Sequence, residues 1–152
     1  MIRVQQDPFD IGAEISALTA GRTDLGAMVS FTGLVRDFTG DDTVSKLTLE
    51  HYPGMTEREL ARIEAEATTR FDLNASLIIH RVGTLAPGDE IVLVVACSAH
   101  RDAAFDGARF MMDFLKTQAP FWKKEAGAGD EEGGGKWVDA RDSDDDAAKG
   151  WS

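Results

Sequence analysis

The sequence predicts an α+β fold, with helices laid on a mainly antiparallel sheet. Three observations lead there. Apolar residues recur at helical spacing in three stretches, four other stretches read as strands, and short turn-forming segments such as TGDD and APGD link the strands in pairs. At 152 residues the chain can bury roughly two thirds of its unfolded surface, so one domain stands without disulfide or metal staples.

The elements follow in order. Asp7 is placed to cap a first helix with Pro8 at its first position; Ile11, Ile15 and Leu18 then share a face, and Gly21 ends it. GAMVSFTGLVR and VSKLTLEHY read as strands around the TGDD turn. Thr56 and Glu59 have capping-box spacing, and Leu60, Ile63, Ala67 and Phe71 line one side of the helix that follows. SLIIHRVG and EIVLVVACS are two further strands. The third helix, from Asp102 to about Gln118, is apolar on more than one side, while Asp102, Asp106, Arg109, Asp113 and Lys116 form a narrow polar seam. Pro120 forces Ala119 out of helical geometry and starts an extended segment in which Phe121, Lys123 and Glu125 point one way and Trp122 and Lys124 the other. Beyond it, AGAGDEEGGG has the composition of a flexible loop, KWVDARD can form a short strand, and DSDDDAAKGWS reads as a solvated, mobile terminus. The expected division is a single domain over residues 1–140 and an acidic tail over 141–152.

Charge and cysteine usage narrow the function. A formal net charge of −11 argues against non-specific nucleic-acid binding, which needs lysine and arginine to neutralise phosphates. The single cysteine, Cys97, shares a strand face with Ile91, Leu93 and Val95 and has no disulfide partner, as expected in a reducing compartment. MIRVQQDPFD lacks the regions of a signal peptide, and no apolar run approaches a membrane span, so a cytoplasmic protein is expected. Three scattered histidines and one cysteine show no metal-ligand spacing, and no cofactor is called for.

Against this acidic background KTQAPFWKKEAG gathers Lys116, Lys123 and Lys124 around a proline corner. Spacing leaves two uses open: Lys116 can pair with Asp113 or suit the helix dipole, and the other two can be edge-strand lysines, or the three can build a local anion site. At the other end of the same helix, His100 and Arg101 lie where free N–H groups favour an anion, although a structural pair accounts for them equally well. His80 with Arg81, and His51, are weaker candidates for which a structural role suffices. Fifteen helical residues separate Arg101 from Lys116 by about 22 Å, so there are two sites or one site shared between two copies of the chain. A symmetric homodimer is expected.

The motifs FTGLVRD, LTLEHYPGMTERELARI, IIHRVGTLAPGDEIVLV, SAHRDAAFDGARFMMDFLKTQAPFWKKE and KWVDAR, in this order, resemble the large, catalytic subunit of molybdopterin synthase over nearly the whole chain. The resemblance implies an α/β hammerhead fold with an additional small antiparallel sheet, and a central homodimer of large subunits within a heterotetramer. It also implies a small ubiquitin-like sulfur-carrier partner whose C-terminal Gly-Gly thiocarboxylate supplies two sulfurs to cyclic pyranopterin monophosphate, making the molybdopterin dithiolene. Lys116 and Lys123 match the catalytic lysines. Arg36, with Leu34 and Val35 beside it, matches the substrate-pocket wall; His100 and Arg101 match the substrate-binding pair. Lys124 and Glu125 complete the pocket edge, and Arg141 matches a residue that reaches a neighbouring subunit's pocket. The loop AGAGDEEGGG is longer and more acidic than the family pattern. Two other classes fit the same residues: a ferredoxin-like domain binding a phosphometabolite, in which Lys116 matters little, and a non-catalytic subunit that docks the carrier.

Overall fold

The computed structural model describes residues 1–39, 42–127, 136–138 and 142–151. In chain order the elements are β1 (Ile2–Gln5), α1 (Ile11–Thr19), β2 (Ala27–Leu34), β3 (Phe38–Thr39), β4 (Asp42–His51), α2 (Met55–Phe71), β5 (Ala75–Arg81), β6 (Gly83–Leu85), β7 (Glu90–Ser98), α3 (Arg101–Gln118), β8 (Phe121–Gly127), β9 (Lys136–Val138) and α4 (Asp142–Lys149). The first sheet has the order β1-β5-β7-β2 and is antiparallel except where β1 runs parallel to β5. In the second, β4 pairs with β3, β6 and β8, and β8 pairs with β9, all antiparallel.

Side-chain alternation along β5 and β7 divides the core. Ile78, Val92, Val94 and Ala96 meet Leu60, Ile63 and Ala67 of α2 and Ala108, Phe110, Met111 and Leu115 of α3. Leu77, Ile79, Leu93, Val95 and Cys97 face the other way, onto Ile11, Ile15 and Leu18 of α1. Helices therefore cover both faces of the first sheet, and its central strands are apolar on both sides. A third, smaller cluster of Val35, Leu47, Leu49 and Leu85 sits against the second sheet. Each fully buried Leu, Ile or Phe contributes about 1.5–3 kcal/mol, which makes these clusters the main support of the fold.

Several local expectations shift. The cap of α1 is Asp10, whose carboxylate accepts from the Ala13 N–H at 2.9 Å, and not Asp7; the helix begins after the Asp7-Pro8 pair. Helix α2 is capped at Gly54, with the Glu57 carboxylate accepting from the Gly54 N–H at 2.6 Å, so Thr56 lies within the first turn and Glu59 pairs with Arg62 instead. β1 precedes the first expected helix, and its four residues are too few for a periodic signal. Ile91 packs with the α3-side and second-sheet clusters and not with Cys97, because the register slips beside it at Gly33/Leu34.

The terminus read as solvated forms α4, whose described residues are mostly exposed, and it is tied down at Trp151. That indole packs edge-on to Phe71 and Phe110 at 5.5 Å, with the Arg70 guanidinium over the rings. Acidic composition hid one aromatic anchor. Residues 128–135 of the expected flexible loop lie outside the described residues.

Candidate functional site

The corner between α3 and β8 is built by local sequence. Ala119 is extended (φ −75°, ψ 128°), and the Phe121 N–H donates back to the Ala119 carbonyl at 2.9 Å. Pro120 cannot continue the helix, so Lys116 is left in the last turn of α3 while Lys123 enters β8. Strand register then selects the lysine. Phe121 is opposite His51 of β4 and Lys123 is opposite Leu49, so all four share one face of the second sheet.

That face meets the end of β5. The His80 ring stacks on Phe121, centroids 3.9 Å apart and planes 18° from parallel, and its Nδ1 lies 2.8 Å from the Arg81 carbonyl. Burial pushes the imidazole down to about 4; the Arg81 carbonyl opposes this, while the charges of Lys123, Lys116 and His51 add to it. The charges of two lysines and a second histidine therefore reach one aromatic stack, in which His80 is buried and Phe121 half-buried. His51 in turn places Nε2 3.2 Å from the Glu57 carboxylate. Burial works against ionisation of Glu57, but the N–H groups of Glu57 and Gly54 and the adjacent His51 outweigh it and hold the acid below its ordinary range.

Lys116 does not take the pairing that its spacing allowed. The Asp113 carboxylate accepts instead from the Trp151 indole N–H at 2.6 Å. Lys116 is exposed at the end of the seam. A cation on a fixed helix end and a second on a paired strand, with a neutral ring near enough to feel both charges, can hold an anionic group and stabilise charge that develops on it.

The remaining candidates divide by the ends of the first sheet. Leu34 pairs with Glu90 at the start of β7, and His80 pairs with Val92, so Leu34, Val35 and Arg36 lie at the same end as the lysines. Leu34 is exposed, whereas Val35 is buried in the small cluster, its N–H donating to the Asp89 carbonyl at 2.9 Å; Arg36 is exposed. His100 and Arg101 follow β7 at the opposite end, both exposed, at the start of α3. Gly26 permits this junction, since a Cβ there would lie 2.0 Å from the Ala99 carbonyl oxygen. One chain does not bring the His100-Arg101 pair to the lysines. Lys124 lies in β8 opposite Thr48, and Glu125 opposite Leu47; Arg141 lies outside the described residues. Among the described residues no cluster of His, Cys, Asp or Glu could hold a metal.

Sequence reasoning undervalued His80 because a histidine at a strand end is usually explained by packing; only register shows that its ring lies under Phe121. Thr56 was read as a cap and is buried.

Comparisons with known proteins bear on the family. Residues 4–118 match the family model described as MoaE protein. A molybdopterin synthase catalytic subunit of Mesorhizobium japonicum is 56% identical over 150 residues, covering 99% of this chain and 92% of that protein. Its counterpart in Rhizobium meliloti is 57% identical over 151 residues, covering 99% and 95%. Among solved structures, the molybdopterin biosynthesis MoaE protein of Burkholderia ambifaria superposes with a TM-score of 0.83 at 48% identity, covering 99% of this chain and 97% of that one. With full-length similarity in sequence and a shared fold, the chain belongs to the MoaE family of molybdopterin synthase catalytic subunits.

Proposed function

We propose that this chain transfers sulfur from the thiocarboxylated Gly-Gly terminus of a small ubiquitin-like carrier to cyclic pyranopterin monophosphate, forming the molybdopterin dithiolene. The observation that carries the reading is that Lys116 and Lys123, one on each side of the α3–β8 corner, both act by their charge on the His80 ring stacked there on Phe121. Thiocarboxylate, cyclic phosphate and developing oxyanions are all negative, and paired cations on rigid elements suit each of them. Lys116 and Lys123 are the proposed catalytic pair. Arg36, at the same end of the sheet, is a further substrate cation with Leu34 and Val35 beside it; Lys124 and Glu125 edge the pocket, and Arg141 is assigned to a neighbouring one.

His100 and Arg101 join this site only from a second copy. Supporting a homodimer, β2 is an edge strand of the first sheet, and Phe31 and Phe105 expose 44% and 60% of their surface on β2 and α3. Two large and two small subunits complete the proposed heterotetramer; the relatives' designation as a catalytic subunit fits a divided enzyme. A cytoplasmic setting is part of the same reading: Cys97 is a buried free thiol, and no described helix is long and apolar enough to cross a membrane. Residues 1–140 are proposed as one catalytic domain.

The test combines the purified chain, a thiocarboxylated carrier and cyclic pyranopterin monophosphate, with dithiolene product as the readout. Lys116→Ala is expected to lose turnover by about 10²-fold or more, the scale of removing one transition-state donor. Full turnover in that variant would reject the lysine reading. Carrier binding without product from the wild type would leave a docking subunit.

A further inference from the structure

The proline corner is held from outside by a buried hydroxyl. Thr56, fully buried in the first turn of α2, donates from Oγ1 to the Pro120 carbonyl at 3.0 Å and accepts at the same oxygen from the Tyr52 N–H at 2.9 Å. Its own N–H donates to the Tyr52 carbonyl at 2.9 Å. One side chain thus ties the end of β4 and the start of α2 to the junction of α3 with β8, 64 residues away in sequence. A threonine hydroxyl has one proton to give, and it is spent on Pro120.

The tie sits between the two lysines along the chain. Lys116 is four residues before Pro120 and Lys123 three after it. Pro120 has no N–H, so the corner lacks that backbone donor. From the β8 side, Phe121 is fixed by its stack on His80 and its pairing with His51; from the helix side, Thr56 grips the carbonyl one residue earlier.

We infer that Thr56 is a positioning residue for sulfur transfer, setting the separation of Lys116 and Lys123 by holding the Pro120 carbonyl. The inference rests on the lysine reading given above. A mere core residue would alter stability and leave the turnover of the folded protein unchanged; a positioning residue alters turnover itself, since displacement by about 1 Å can cost up to 10²-fold.

The experiment compares Thr56→Val and Thr56→Ser with the wild type in the complete assay, at a temperature well below each variant's unfolding midpoint. Thr56→Val keeps the shape and removes the hydroxyl. It is expected to lower kcat by about tenfold, with KM for the carrier changed by no more than about twofold, because transition-state geometry and not docking is lost. Thr56→Ser keeps the hydroxyl and is expected to stay within about threefold of wild-type kcat. A folded Thr56→Val with unchanged kcat would overturn the inference. Should Thr56→Val not fold, Thr56→Ser decides: a tenfold loss there, with the hydroxyl retained, would equally overturn it. Lys116→Ala, measured alongside, separates the two ideas. If it keeps turnover the lysine reading fails; if it loses turnover while Thr56→Val does not, only the positioning role of Thr56 fails.

Discussion

At the scale of single residues, His80 shows how burial sets protonation at the proposed site. A carbonyl only accepts, so the contact with Arg81 places the proton on Nδ1 and leaves a neutral ring stacked on Phe121. Its value of about 4 lies below the ordinary 6.5. The unfolded chain therefore binds a proton between those values that the folded chain does not, and stability must fall as pH falls. The contribution is complete above about 6.5, declines through the window and levels off below about 4. At about 1.4 kcal/mol per pH unit this is on the order of 3 kcal/mol. Urea unfolding at pH 7 and pH 4 should show wild type losing that much more than His80→Phe, which keeps an aromatic ring but cannot titrate. Parallel losses in the two proteins would mean that His80 is not held neutral by the fold.

At the scale of elements, α3 carries the proposed site at one end, and its position depends on neighbours on several sides. At Gly107 an added Cβ would sit 2.9 Å from a Leu73 side-chain methyl, so that side chain packs directly on the helix backbone. On another side Trp151 packs on Phe110 and holds the Asp113 carboxylate away from the lysine three residues later. Arg70 also donates to the Trp151 carbonyl at 2.8 Å. Removing the indole from this half-buried position should cost about 2–3 kcal/mol, below the 3–5 of a fully buried tryptophan. Thermal or urea unfolding of Trp151→Ala reads that loss directly. A change within about 0.5 kcal/mol, the range of ordinary surface substitutions, would show that the terminal helix does not brace α3.

At the scale of the whole molecule, the two ends of α3 require a second copy if both belong to one site. A helix of this length keeps Arg101 and Lys116 about 22 Å apart. Complementation tests that arrangement. Arg101→Ala and Lys116→Ala are each expected to be inactive as homodimers, yet a co-expressed mixture should recover about one quarter of wild-type turnover, because half of the dimers are mixed and each has one intact site. No recovery, with mixed dimers demonstrated, would show that the site is not shared between two copies, and an active Arg101→Ala homodimer would make Arg101 dispensable. Phe105→Asp should shift the proposed dimer toward monomer in sedimentation, since a charge is costly in an apolar interface.

Periodicity and composition were enough to locate α2 and α3, the long strands around APGD and the proline corner, because these features are local: an amphipathic repeat, a missing N–H, a turn residue. The motifs also made the family legible. They did not disclose the β1–β5 pairing, the anchoring of the terminus through Trp151, or which candidates stand together. Those depend on contacts between residues far apart in the chain, where sequence spacing carries no distance. Sequence by itself determined that Lys116 and Lys123 lie on either side of a helix-ending proline; tertiary structure decided that His80 lies under Phe121, that Asp113 is engaged elsewhere and that Thr56 grips the corner, because only packing fixes which buried polar group finds which partner.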